Sequence, residues 1–196
     1  MEYETDDNTR PTKAEVQFLN LAYNEFYNIF DEIFIGDIFY SQSSYYRFSR
    51  IREAFCIYGE VQSYEPIQWA LKDIEEHRPF MESVIAKDLF KAIRNIFSHF
   101  PYFSAWDDVW LSEELVNWYK PNQSIDKFIK KYADKDTVKY RFWDDLSKTM
   151  TYISIRFPTL SEYKTRIYLK DMLTEKDGVK FSMILMKKVM DTCVEK

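Results

Sequence analysis

Arg94, Asn95 and His99 place a permanent cation, an amide and a titratable imidazole within one short, otherwise mostly apolar stretch. That stretch is Ala92-Ile93-Arg94-Asn95-Ile96-Phe97-Ser98-His99-Phe100-Pro101. Imidazole has an unperturbed pKa of about 6.5, so both of its protonation states are available near neutrality. Arginine stays charged and grips two phosphate oxygens at once. On a helix advancing about 100° per residue, Lys91, Arg94, Asn95, Ser98 and His99 share one half of the surface. Phe90, Ala92, Ile93, Ile96, Phe97 and Phe100 share the other. Asn95 and His99, four apart, are neighbours, whereas Arg94 and His99 stand about 140° apart and frame a groove instead of touching. Pro101 ends the helix at Phe100, leaving His99 at its terminus.

This set suits phosphoryl chemistry without a metal. Cleavage of RNA by its own 2′-hydroxyl needs a base for that proton, an acid for the departing 5′-oxygen, and positive charge at the phosphorane. One histidine cannot be base and acid at once, and the other, His77, has no arginine at comparable spacing upstream. A two-fold dimer of the motif helices would bring two His99 and two Arg94 side chains to one groove.

Arg94-Asn95-x-x-x-His99 on a bundle helix resembles the signature of the HEPN superfamily, an arginine followed after four to six residues by a histidine, often with a polar residue after the arginine. The form here is most similar to HEPN domains of CRISPR ribonucleases and of abortive-infection and toxin proteins. The resemblance implies an all-α bundle that dimerises and a metal-independent endoribonuclease that leaves a 2′,3′-cyclic phosphate on single-stranded RNA. It gives Arg94 the phosphate, His99 proton transfer, and Asn95 the orientation of His99 or a contact with the RNA backbone. It further implies a defence or growth-arrest effector, with an antitoxin or activator protein as partner and no cofactor. The likeness covers these ten residues directly and Thr12 to Tyr119 as architecture; residues 120–196 have no counterpart. The alternative is a noncatalytic HEPN-like binding or scaffold module, whose helix face holds a partner and cleaves nothing.

The elements that must carry the motif are mostly helical by pattern. Residues 1–12 are expected to be a disordered tail, 13–119 the HEPN-like bundle, and 120–196 a C-terminal helical extension packed on the same domain. Thr12-Lys13-Ala14-Glu15 has the form of a capping box, and the apolar spacing from Val16 to Phe34 is that of an amphipathic helix stopped by Gly36. A second helix is expected from Tyr45 to near Gly59, carrying Arg47, Arg50 and Arg52. Pro66 and Pro79 open helices over Ile67–Glu76 and Phe80–Phe100. A short aromatic helix reaches Tyr119. Helices over Ser124–Tyr132, Val138 to about Phe157, Ser161–Lys176 and Val179–Val194 follow, with Asp177-Gly178 as a turn. The β-branched run Thr149–Ile155 leaves a strand open there.

Composition narrows the class. Three glycines and six prolines against 36 aromatic residues favour long packed helices. Cys56 and Cys193 have no metal-ligand spacing, two histidines and no glycine-rich loop give zinc hydrolysis and nucleotide-triphosphate chemistry no support, and no apolar run reaches membrane-spanning length. The N-terminal residues do not read as a signal peptide, so a cytoplasmic protein is expected. Net charge is −5, split as −11 over residues 1–119 and +6 over 120–196. The basic part suits an anionic polymer, although a lysine-rich solvated surface is the plainer explanation. Arg47, Arg50 and Arg52 are candidates to line an RNA path, with a solvated helix edge the commoner alternative. Trp106, Trp110 and Trp118 fit a buried stripe better than a base-stacking platform.

Overall fold

The computed structural model describes residues 12–35, 38–77, 80–121, 123–144 and 146–194, and the chain is mostly helical. Of the expected tail at 1–12, residues 1–11 lie outside these residues, as does the stop at Gly36, and Thr12 is the N-cap of the first helix. Helix α1 (Lys13–Phe34) opens with the capping box read from the sequence: the Glu15 N–H donates to the Thr12 hydroxyl, and the Thr12 N–H donates to the Glu15 carboxylate at 2.6 Å. Ser43 caps α2 (Ser44–Val61) by accepting from the Tyr46 N–H. Helices α3 (Glu65–His77) and α4 (Phe80–His99) follow.

The core is an aromatic stack between α2 and α4. Phe97 meets Phe48, Phe55 and Trp106 edge to face, with centroids 5.2, 5.5 and 6.0 Å away. The Trp106 indole N–H donates to the carbonyl of Leu173 at 2.9 Å, so this ring also satisfies its polar atom. Arginines on α2 clamp its neighbours. Arg47 holds Glu175 through two hydrogen bonds of 2.8 and 3.1 Å, and Arg50 pairs with Glu25, Glu32 and Glu53. Both guanidiniums are thereby paired with carboxylates of the same chain. The Arg52 guanidinium donates to the carbonyl of Pro101 at 3.1 Å.

Beyond α4 the structure departs from the expected run of helices. Trp106–Asp108 is a 3-10 turn, Trp110–Leu111 is a short strand β1, and Ser112 caps the single-turn α5 (Glu113–Val116). No helical stripe unites the three tryptophans, since Trp106 is buried and Trp118 is 74% exposed. Helix α6 (Ser124–Tyr132) forms as expected. The expected helix from Val138 to about Phe157 is instead a hairpin of β2 (Val138–Asp144) and β3 (Thr149–Ile155), the latter on the β-branched run that left a strand open, with Arg141 opposite Tyr152 and Trp143 opposite Met150. Burial alternates along β2, the signature of a strand with one face covered.

The expected helix over Ser161–Lys176 is broken too. Thr159 and Glu162 form a capping box for α7 (Leu160–Thr165), β4 (Ile167–Tyr168) pairs antiparallel with β1, and α8 (Leu169–Met172) is one turn. Helix α9 (Glu175–Val194) begins earlier than expected and runs through Gly178 without a turn. A Cβ at Gly178 would lie 2.5 Å from Leu173 Cγ, so this glycine serves close packing. Helix α9 lies against α1, α2 and α3, and its Phe181 meets Phe90 of α4 at 5.7 Å. Among the described residues no helix is long and apolar enough to cross a membrane.

Candidate functional site on helix α4

The apolar half of the motif helix is buried in full: Phe90, Ala92, Ile93, Ile96, Phe97 and Phe100 all belong to the core. Its other half splits in a way the helical wheel alone does not show. Lys91, Ser98 and His99 are exposed, Arg94 is half-buried, and Asn95 is only 5% exposed. Asn95 is covered because α6 docks beside α4, where its amide donates to the Ser124 hydroxyl at 2.9 Å.

Arg94 leans the other way, toward α2. Its Nη2 donates to the Glu60 carboxylate at 2.7 Å and its Nη1 to the Asn95 side-chain oxygen at 3.1 Å. The stem passes over Gly59: a Cβ there would stand 2.7 Å from both Cγ and Nε of Arg94. Glu60, Arg94, Asn95 and Ser124 therefore form one hydrogen-bonded chain joining α2, α4 and α6. Helix α2 ends two residues past Gly59, close to the end expected from the sequence, and the glycine in its last turn is kept bare for an arginine stem.

His99 is the last residue of α4, one turn beyond Asn95. No hydrogen bond joins the two side chains, and the ring bonds to no other described residue. In the single chain Asn95 orients Arg94. The turn after His99 is fixed by the Phe100 N–H donating to the carbonyl of Ile96 at 2.9 Å and by Arg52 on Pro101.

Sequence reasoning missed a groove between α4 and α6, whose walls bring Lys91, Lys127 and Lys131 around Asn95 and Ser124. Lys131 is tied to Asp88 at 2.6 Å, while Lys91 and Lys127 form no ion pair with a described residue. The available signal was the spacing of Lys127 and Lys131, which puts both on one side of α6. Among the described residues no group of three or more His, Cys, Asp or Glu side chains is placed to hold a metal ion. Comparison of the chain with protein-family models, with curated proteins and with solved structures gives no significant match.

Proposed function

We propose that this chain is a metal-independent endoribonuclease that cleaves single-stranded RNA as a dimer, with His99 and Arg94 of two protomers in one groove. The observation that carries the reading is His99: an exposed imidazole at the end of α4, unengaged by described residues, five residues past an arginine held ready by Asn95. In the reaction the 2′-oxygen attacks phosphorus and the bond to the 5′-oxygen breaks. One His99 takes the 2′-hydroxyl proton, and the other, protonated, delivers a proton to the departing oxygen. Arg94 exchanges the exposed Glu60 carboxylate for the phosphate and stabilises its developing charge. The lysines of the α4–α6 groove extend this positive surface for the flanking phosphates.

A second reading is favoured by the chain from Glu60 to Ser124. It satisfies Arg94 and Asn95 within one protomer, as a noncatalytic helical module would use them, to tie α2, α4 and α6 together. Cleavage of a mixed single-stranded RNA in EDTA separates the two. On the catalytic reading the wild type leaves cyclic-phosphate ends, and Arg94→Ala and His99→Ala each abolish cleavage. Since His99 is exposed, its loss leaves stability unchanged, and a missing product reports chemistry. Absence of cleavage by a well-folded dimer selects the module.

A further inference from the structure

The outward face of the C-terminal hairpin carries side chains that the site on α4 does not use. Its inward residues Tyr140 and Phe142 pack on Phe181 of α9, with centroids 4.9 and 5.4 Å away. Asp144 also points inward, where its carboxylate meets Lys180 at 2.5 Å and accepts from the Ser147 hydroxyl at 2.6 Å. The hairpin is thus a fixed ribbon, and its acidic strand residue is turned away from solvent and neutralised.

The outward positions read Lys139, Arg141 and Trp143 on β2, facing Ser154, Tyr152 and Met150 on β3. None of the six is acidic, and Lys148 adds a further exposed cation at the turn. Tyr152 is 64% exposed and Trp143 42%. Neither ring stacks on another described aromatic ring. A β-ribbon places diagonal neighbours roughly 7–8 Å apart, which leaves Trp143 and Tyr152 spaced so that each can hold its own planar group while Arg141 and Lys139 lie beside them.

From this juxtaposition we infer that the outward face of β2–β3 is a docking platform for single-stranded RNA, with bases stacked on Trp143 and Tyr152 and phosphates held by Lys139 and Arg141. Charge complementarity selects this occupant: the six described outward residues include two cations and no carboxylate, and they lie in the basic C-terminal third of an otherwise acidic chain. Aromatic rings with interleaved cations are what an unpaired strand requires, since every base has a π-face and every nucleotide a charge. The platform rests on the reading of the chain as an RNA-cleaving protein, and it gives that protein a hold on substrate remote in sequence from the reacting groups.

The test is binding of a fluorescein-labelled oligouridine of roughly 20 nucleotides to full-length His99→Ala, followed by anisotropy in EDTA. Tyr152→Ala and Trp143→Ala in that background are each expected to weaken binding at least about tenfold, while Tyr152→Phe, which keeps the ring, retains it. Replacing Lys139 and Arg141 together by Ala should reduce the steepness of log K against log salt by about 1.4, two phosphate contacts on a single strand. Affinity indifferent to all three alanine variants overturns the platform, as does equal affinity for duplex RNA, whose bases are not free to stack. A change in oligomeric state on Trp143→Ala overturns it too, because the face would then be a contact between copies of this chain. Cleavage is scored separately in the wild-type background: binding without cleavage sinks the catalytic reading alone, and cleavage with an indifferent hairpin sinks the platform alone.

Discussion

At the scale of single residues, the posture of Arg94 depends on an absent side chain. Within a helix Ala is favoured over Gly by up to about 1 kcal/mol, so Gly59→Ala, in the last turn of α2, would stabilise it if nothing lay beside it. A Cβ 2.7 Å from Cγ and Nε of Arg94 instead pushes the stem aside and breaks its hold on Glu60 and Asn95. These opposed effects leave the thermal midpoint close to that of the wild type. Catalysis as proposed has no such compensation, because a guanidinium displaced by an ångström would no longer meet the phosphorane. Gly59→Ala is expected to lower RNA cleavage at least about tenfold with folding intact, measured as initial rate beside a melting curve. An unchanged rate with a raised midpoint would show that the path of Arg94 over α2 is irrelevant to function.

At the scale of elements, the hairpin shows what could be read from this chain and what could not. The capping box at Thr12, helices α1 and α6, and the buried half of α4 follow from patterns of period 3.6 and from side chains that accept backbone N–H groups, and these were legible. In the C-terminal third the β-branched run of β3 was legible as a possible strand, but β2 and the other breaks were not, because the usual breakers are missing there. The left-handed positions after α6 and in the hairpin turn are taken by Asp134 (φ 60°) and Lys148 (φ 53°), not by glycine. What marks β2 is strict alternation, with Lys139, Arg141 and Trp143 outward, and aromatic residues obscure it by suiting either period. For the site, the residue types and the wheel were legible. The burial of Asn95 was not, because it depends on where α6 docks. Asp144 fastens the hairpin to α9, and its titration reports that junction. Burial pushes its carboxyl up, but the Lys180 ammonium, the Ser147 hydroxyl and the N–H groups of Leu146 and Ser147 outweigh this and hold the pKa down at about 2, below the ordinary 3.8. A carboxyl depressed in the folded state stabilises above the unfolded value and loses that contribution as pH falls through the folded one. The contribution, on the order of 2 kcal/mol, is therefore present at pH 7 and fades between about pH 4 and pH 2. Urea unfolding should find Asp144→Asn less stable than wild type by about that amount at pH 7, with the gap closing toward pH 2. A gap that ignores pH would mean that the ion pair contributes nothing.

At the scale of the whole molecule, catalysis as proposed requires two copies of the chain. Lys91, Ser98 and His99 are the exposed residues of the polar half of α4, and a two-fold axis beside His99 sets the same residues opposite themselves. The closed pairing of identical surfaces makes one shared groove per dimer, so the base and the acid are the same residue in two chains. Subunit mixing reads this directly. In an equal mixture of wild type and His99→Ala, allowed to exchange fully at constant total protein, about a quarter of the dimers carry both imidazoles. Activity should then fall to about a quarter of that of the undiluted wild type, and to about a sixteenth when only one chain in four is wild type. A monomeric site would give a fall in simple proportion, about a half and about a quarter for the same mixtures. Because His99 is exposed and its replacement leaves the fold alone, the curvature of this plot measures how many imidazoles one cleavage event uses. A straight line through the origin would return both proton transfers to a single chain and remove the reason for the dimer.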